Sequence, residues 1–179
     1  MGKYFNVKAE MKGSKLPNVL TTDDFSRIIA ATKQPHHRLA FKLGFLCGLR
    51  ISEIINVQQT DFNKERKLIF VRQGKGSKDR YVPYPTKFIT QTEIKKNIPI
   101  KCGVRALEIS FKNKVKKILK REDLHFHNLR HSFATNLIEK GIPVTDIQFW
   151  LGHARLTTTS IYLKISPTHA LERYENVWS

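Results

Sequence analysis

The chain has 179 residues and a mass of 20.8 kDa, which is the size of about one domain. Hydrophobic residues make up 40% of the sequence and aromatic residues 10%, and this composition excludes disorder as the main state. Lys and Arg number 32 against 15 Asp and Glu, a net charge of +17. Such a charge favours a polyanionic partner, nucleic acid ahead of a membrane surface.

Cysteine content and hydropathy predict the compartment. Cys47 and Cys102 are too few for a disulfide framework, and we expect both to be reduced thiols. The N-terminus has no apolar core of signal-peptide length, and no run of about 18 apolar residues is present. The sequence therefore predicts a soluble cytoplasmic protein with no membrane partner.

The first half of the chain changes from helical to strand-like patterns. Residues 1–20 are rich in lysine and lack periodicity, so we predict a basic arm or interdomain linker that does not join the core. Thr21 can cap the start of a first helix, and Asp23 and Asp24 suit the positive end of the helix dipole. Apolar spacing then predicts two more helices at about 37–47 and 50–57, followed by three strands at about 61–63, 67–71 and 80–83.

The second half of the chain is predicted to be helical. Apolar residues at helical spacing indicate helices at about 86–96, 104–121, 127–140 and 143–151. The lysine face of the helix at 104–121 is either a solvated surface or a phosphate contact. We predict a mainly α domain with a small antiparallel β-sheet (α+β) over residues 21–165. A tail at 166–179 is expected to form a last helix, which packs on its own domain or on a neighbouring protomer.

Two segments in the first half combine cations with glycine. In Gly48-Leu49-Arg50-Ile51-Ser52-Glu53, the Arg and the Glu are three residues apart and share a helix face, and a surface ion pair is the alternative. The turn Gly74-Lys75-Gly76-Ser77-Lys78 can bring its backbone and cations close to a phosphate, although an ordinary hairpin turn has the same composition. The turn lacks the spacing of a Walker A loop.

Two segments in the second half combine histidine with Arg or Tyr. His127 and Arg130 share a helix face, while a metal site is disfavoured because no Glu follows His127 and no cysteine lies near. His153 and Tyr162 are nine residues apart, about 900° on one continuous helix, so they face opposite ways unless the chain turns between them. Gly152 and the threonines that follow permit such a turn. A hydrogen-bonded core histidine and a half-buried core tyrosine are the alternatives.

Taken in order, these segments resemble the active site of the tyrosine recombinases, the phage-integrase and Xer-type family. The matching words are Gly-Leu-Arg-Ile-Ser-Glu, Gly-Lys-Gly-Ser-Lys-Asp-Arg, His-Asn-Leu-Arg-His-Ser-Phe-Ala-Thr and Leu-Gly-His-Ala-Arg-Leu-Thr-Thr-Thr-Ser-Ile-Tyr. The resemblance spans about residues 17–165 and implies the fold of the family's catalytic domain. The catalytic residues that it implies are Arg50, Lys75, His127, Arg130, His153 and Tyr162.

The resemblance implies a site-specific DNA recombinase or integrase that needs neither metal, ATP nor another cofactor. Tyr162 attacks a DNA phosphodiester, which leaves a 3′-phosphotyrosyl link and a free 5′-hydroxyl, and strand exchange and religation follow. Arg50 and Arg130 suit the phosphate because a guanidinium binds two oxygens and stays charged. His127 is implied as the base or proton relay. Lys75 is implied as the general acid, and Lys78 is the alternative candidate for that role.

Other residues and partners follow from the same resemblance. Glu53 is expected to orient the Arg or His side chains, and His153 to donate a hydrogen bond to the phosphate. The expected partner is double-stranded DNA at a specific site, bound by a homo-tetramer, with the family's N-terminal core-binding domain supplied elsewhere. The alternatives are a type IB topoisomerase-like relaxing enzyme and a non-catalytic DNA-binding module. Further DNA contacts are expected from Lys78, Arg80, His131 and Arg155.

Overall fold

The computed structural model describes residues 18–72, 79–152 and 174–178, and these residues form a mainly helical domain with one small sheet. Within these ranges, no helix is long and apolar enough to cross a membrane. The predicted fold class is confirmed. The helices are α1 (Thr22–Ala30), α2 (Pro35–Cys47), α3 (Ile51–Asn56), α4 (Gln91–Asn97), α5 (Val104–Lys114), α6 (His127–Glu139) and α7 (Val144–Leu151). The strands are β1 (Phe62–Asn63), β2 (Leu68–Val71) and β3 (Arg80–Pro83).

Several helix boundaries follow from capping chemistry that the sequence already contains. The Thr21 hydroxyl accepts the backbone N–H of Asp24 at 3.1 Å, and the Asp24 carboxylate accepts the N–H of Thr21 at 3.3 Å, which closes a capping box at the start of α1. Pro35 is the first residue of α2, where its missing N–H costs nothing. α1 therefore begins where the sequence predicts, and α2 begins two residues before the predicted start.

Two predicted helices differ from the structure in their extent. The helix predicted at 86–96 begins only at Gln91, because residues 85–89 form a turn on the Pro85 carbonyl and Thr90 caps α4. The helix predicted at 104–121 is α-helical only as far as Lys114. It continues as a π-helix over Val115–Leu119, which widens the turn by one residue and was not visible in the apolar spacing.

The sheet has the order β1-β2-β3 with antiparallel neighbours throughout. Ile69 pairs with Phe62 on one side and Val82 on the other, and all three face the core. Phe70 pairs with Tyr81 on the opposite face, where Tyr81 is 52% exposed. The alternation of buried and exposed residues fixes this register, since a slip of one residue would expose the buried set.

The residues just before α1 join the core, which corrects our expectation for the end of the predicted arm. Leu20 is 1% exposed, and its N–H donates to the buried Ser132 hydroxyl on α6 at 2.8 Å. Arg121 donates to the Val19 carbonyl. A buried apolar side chain and a satisfied backbone N–H hold these residues in place. Residues 1–17 lie outside the described part of the chain.

The end of the predicted C-terminal tail packs against its own chain. Residues 174–178 are helical. Tyr174 is fully buried, and its hydroxyl donates to the Leu46 carbonyl at 2.6 Å. The Trp178 ring lies edge-on against Phe45, and the Lys140 ammonium lies 4.6 Å from the centre of the Trp178 ring. Contact with a neighbouring protomer stays a prediction.

We predict that Gly48→Ala destabilises the fold by about 2–5 kcal/mol. Gly48 ends α2 with φ +67°, where an L side chain costs about 1–2 kcal/mol. A Cβ there would also lie 2.6 Å from Phe133 Cδ1 and 2.9 Å from Leu151 Cδ2, and overpacking a core in this way costs about 1–3 kcal/mol. Urea denaturation measures the loss.

Gly141→Ala is the matched control. Gly141 has φ +81°, but nothing lies within 4 Å of the Cβ that would be added. We therefore expect this variant to lose only about 1–2 kcal/mol, the backbone part of the effect. Equal losses in the two variants would show that the contact with Phe133 and Leu151 is unimportant.

Candidate active site

The ends of α2 and α7 meet near the predicted site. Gly48 and Gly152 each end a helix in the left-handed conformation, with φ of 67° and 65°. Each glycine lies just before a predicted functional residue, since Gly48 is two residues before Arg50 and Gly152 is one residue before His153. The carbonyl ends of helices carry partial negative charge, so their meeting point favours a cation.

Arg130 occupies this meeting point. It lies on α6, is 5% exposed, and donates from Nη1 to the Gly48 carbonyl at 2.7 Å and from Nη2 to the Leu151 carbonyl. Burial, and then the nearby charge of Arg50, lower the pKa of Arg130 to about 10, so the side chain remains charged at neutral pH. Among the described residues, no carboxylate forms an ion pair with Arg130. A buried cation held only by carbonyls is well placed to receive an anion.

Glu53 connects two further arginines. Its Oε1 accepts from Nη1 of Arg50 and Nη1 of Arg80, each at 2.9 Å. Its Oε2 accepts from the Arg50 backbone N–H at 2.7 Å and from Nη2 of Arg80 at 2.9 Å. Four donors therefore satisfy both oxygens of the carboxylate. Glu53 also offsets the unfavourable placement of Arg50 at the positive end of α3.

The charges around Glu53 keep it ionised. Burial by itself would raise the pKa of Glu53, but hydrogen bonds and charge from Arg80 and Arg50 outweigh burial and lower the pKa below its usual value. Arg50 remains partly accessible, with its side chain 37% exposed. Only its Nη1 bonds to another described side chain, which leaves Nε and Nη2 for a ligand.

His127 begins α6 beside the arginines. Burial lowers the pKa of His127, with further lowering from the charges of His131, Arg130 and Arg50, so the imidazole is mainly neutral at neutral pH. A neutral imidazole can accept a proton. The ring of exposed His131 stands edge-on to it, 4.4 Å between centroids. Among the residues that the structure describes, no three His, Cys, Asp or Glu side chains are grouped as metal ligands would be.

The cluster formed by Arg50, Glu53, Arg80, His127 and Arg130 carries three guanidinium groups and one carboxylate. With a neutral His127, its net charge is therefore +2. Arg50 lies close enough to Arg130 for its charge to lower the pKa of Arg130, and an imidazole that can accept a proton lies beside them. This arrangement suits an anion with several oxygens, such as a phosphodiester, and suits stabilisation of negative charge that develops on it.

The structure brings together four of the residues predicted for the site, namely Arg50, Glu53, His127 and Arg130. Arg80 differs from its predicted role as a DNA contact: its side chain is 3% exposed, and its fork already binds Glu53. The Arg80 side chain is buried because the first residue of β3 faces inward, toward α3 and α7. His131 is exposed next to His127, and its role as a DNA contact stays a prediction. The remaining predicted site residues lie outside the described part of the chain, and they are Lys75, Lys78, His153, Arg155 and Tyr162.

Backbone carbonyls are the site groups that sequence reasoning missed. The carbonyls of Gly48 and Leu151 hold Arg130, and the carbonyl of Trp150 accepts from Nε of Arg80. Every residue has a carbonyl, so no residue type marks these positions. The glycines that end α2 and α7 were the available signal, because the last carbonyls of a helix lack partners within the helix.

Comparison with known proteins shows the family to which the chain belongs. Residues 18–169 match the phage integrase family. A tyrosine recombinase of Thermosipho africanus is 37% identical in an alignment 166 residues long, which covers 85% of this chain and 59% of the relative. Tyrosine recombinase XerA of Pyrococcus horikoshii is 37% identical in an alignment 174 residues long, which covers 89% of this chain and 61% of the relative.

A solved structure agrees in fold. The XerH site-specific recombinase, bound to its difH substrate before cleavage, superposes with a TM-score of 0.67 at 27% identity, over 93% of this chain and 55% of that one. The chain spans about three fifths of the length of the curated relatives described above. The match over residues 18–169 and the shared fold lead to one conclusion: the chain belongs to the phage integrase family and has the fold of a tyrosine recombinase catalytic domain.

Proposed function

We propose that this chain is the catalytic domain of a site-specific DNA recombinase that acts through a covalent phosphotyrosine intermediate. The observation that carries the proposal is the buried guanidinium of Arg130, which pairs with no carboxylate among the described residues, next to the partly exposed Arg50 and the neutral His127. Three guanidiniums around one carboxylate favour a bound phosphodiester. Family membership supports DNA as the source of that phosphodiester.

The proposed reaction conserves bond energy. The Tyr162 phenol oxygen attacks the scissile phosphorus, a new P–O bond forms to tyrosine, and the bond from phosphorus to the 5′-oxygen breaks. The products are a 3′-phosphotyrosyl link and a free 5′-hydroxyl. A 5′-hydroxyl from another strand reverses the step and rejoins the DNA, so neither ATP nor a metal ion is consumed.

Proton transfers complete the chemistry. A free tyrosine has a pKa of about 10, so the phenol must lose its proton as it attacks. The lowered pKa of His127 supports its role as the acceptor or relay of that proton. Lys75 is proposed to protonate the departing 5′-oxygen, and His153 to donate a hydrogen bond to a non-bridging oxygen. Arg50 and Arg130 bind the non-bridging oxygens as their charge increases.

The proposed partner is double-stranded DNA at a specific recombination site, bound by several copies of the protein. The XerH structure, with its difH substrate, supports DNA of this kind. The net charge of +17 supports tight contact with the phosphate backbone. Cys47 and Cys102 are free thiols, which supports a reducing, intracellular compartment.

A trapped covalent adduct tests the proposal. A randomised duplex library carries a nick beside each interrogated phosphate, so the short 5′-hydroxyl fragment diffuses away and the link to protein accumulates. We expect an adduct in the presence of EDTA and without ATP, with mass spectrometry that maps it to Tyr162. Sequencing the attached DNA then gives the preferred site.

Each outcome decides between the proposal and an alternative. No adduct from any library member overturns the proposal in favour of a DNA-binding module without catalysis. An adduct with relaxation of supercoiled DNA, but no strand exchange between two copies of the selected site, overturns recombination in favour of a relaxing enzyme. An adduct followed by strand exchange supports the proposal.

A further inference from the structure

Arg80 is a buried arginine whose binding groups are already occupied. It is the first residue of β3, and its side chain is 3% exposed. Nη1 and Nη2 each donate to one oxygen of Glu53 at 2.9 Å, while Nε donates to the Trp150 carbonyl. A guanidinium that holds a carboxylate bidentately cannot present the same edge to a phosphate. Arg80 therefore acts on the site through its neighbours.

The hydrogen-bond partners of Arg80 lie on two separate parts of the chain. Through Glu53 it reaches the start of α3, where Glu53 also binds Arg50. Through the Trp150 carbonyl it reaches the last turn of α7. Arg130 binds the carbonyl of the next residue, Leu151. Two guanidiniums thus hold successive carbonyls at the end of α7, which otherwise lack partners within the helix.

The way in which Arg80 and Arg50 share the two Glu53 oxygens determines which nitrogens of Arg50 remain to bind a substrate. Each oxygen accepts one bond from Arg80 and one from Arg50, and Arg50 makes its bonds to Glu53 with Nη1 and its backbone N–H, so that its Nε and Nη2 donate to none of the described residues. If Arg80 were absent, Glu53 would keep a full negative charge facing a single guanidinium. The Arg50 side chain would then turn its fork toward Glu53, because a bidentate pair is stronger than a single bond. Its charge would be withdrawn from the substrate.

We propose that Arg80 is a positioning residue: by occupying one side of Glu53, it leaves Nε and Nη2 of Arg50 free for the substrate phosphate, and it fixes the end of α7 beside Arg130. The assignment of the phosphate rests on the proposed function. The arrangement of Arg50 does not, since it follows from the contacts of Glu53 with both arginines. These two parts can be tested separately.

The first test measures the side-chain arrangement without requiring catalysis. Arginine Nε–H signals in ¹H–¹⁵N spectra report the surroundings of each guanidinium, and single-site variants assign the signals of Arg50 and Arg80. We expect Arg80→Met to shift the Arg50 Nε–H signal and to increase its protection from exchange, because Arg50 now pairs more fully with Glu53. Arg66→Met is the control, since Arg66 is an exposed cation on the β1–β2 turn. An unchanged Arg50 signal in Arg80→Met overturns the proposal.

The second test measures cleavage of the trapped substrate in single turnover. We expect Arg80→Met to slow cleavage by about 10–100-fold, the usual loss when a supporting residue of a site is removed. In the Arg50→Ala background the same change should slow cleavage less than in the wild-type background, because the part of the effect that passes through Arg50 is already lost and only the part that passes through the end of α7 remains. A role in stability alone predicts the same loss in both backgrounds, and that result overturns the proposal.

Arg80→Lys keeps the tests decisive if Arg80→Met does not fold. Lysine retains the buried charge but lacks the planar fork, so it cannot bind both oxygens of Glu53 and the Trp150 carbonyl together. We expect Arg80→Lys to unfold at a temperature closer to that of wild type than Arg80→Met does, with a smaller change in the Arg50 signal and in cleavage. Wild-type protein that forms no adduct contradicts the proposed function, while the Arg50 signal still decides the role of Arg80.

Discussion

Tyr162→Phe is expected to abolish covalent attachment of the protein to DNA while leaving DNA binding within about twofold of wild type. Phenylalanine keeps the ring but removes the oxygen that attacks phosphorus, so no other step of the reaction can compensate. The adduct assay on the selected site should show at least a thousandfold loss, down to its detection limit. A gel-shift titration at fixed salt measures binding, because phosphate contacts depend strongly on ionic strength.

The tyrosines that the structure describes provide the controls for this prediction. Tyr174 is fully buried with its hydroxyl on the Leu46 carbonyl, and burial raises its pKa well above the usual value. Burial also raises the pKa of Tyr84, whose hydroxyl accepts from Gln91. Tyr81, at 52% exposed, is the accessible phenol among them, and Tyr81→Phe should form the adduct at the wild-type rate. Full adduct formation by Tyr162→Phe would assign the attacking oxygen elsewhere.

Arg130→Ala is expected to slow cleavage by about 10²–10³-fold, the usual loss when one preorganised donor to a developing negative charge is removed. Arg130 is buried, charged at neutral pH and without a carboxylate partner among the described residues. Because none of these residues neutralises its positive charge, that charge can stabilise a bound phosphate. Single-turnover cleavage at saturating protein measures the effect on the chemical step. Free guanidinium at low millimolar concentration should restore part of the rate by entering the space that the side chain leaves.

The effect on folding must be separated from the effect on cleavage. Removing Arg130 leaves the carbonyls of Gly48 and Leu151 without their donor, which costs about 1–3 kcal/mol for each buried group. Thermal unfolding measures that loss directly. Arg27→Met is the control, because Arg27 also donates to a backbone carbonyl, that of Ile118, but on α1 and away from the cluster. Cleavage by Arg130→Ala within threefold of wild type would remove Arg130 from the chemistry.

The sequence predicted the elements whose causes are local. Thr21 and Asp24 lie three residues apart and close their own capping box, so the start of α1 was visible in the sequence. The strands were equally visible, because alternation along the chain reports which face of a sheet is buried. The π-helix after Lys114 was not, since its lysine-rich sequence has the same apolar spacing as an α-helix.

The site also has some features that the sequence predicted and others that it did not. The order of the motif residues, from Arg50 through Tyr162, is a property of the sequence and predicted the family correctly. The partner of each side chain is not such a property. Arg80 has the residue type of a DNA contact, yet packing turns it inward onto Glu53 and the end of α7, which lies 70 residues away in sequence.

The sequence by itself determined the fold class, the start of α1, the three strands and the chemistry that the motif residues can perform. Tertiary structure alone decided that Leu20 is buried against Ser132, that Arg80 supports the site from within, and that carbonyls of Gly48 and Leu151 hold Arg130. The physical reason is the separation along the sequence between the residues that interact. Capping and alternation act over a few residues, whereas these contacts join positions up to 112 residues apart and exist only after the core has formed.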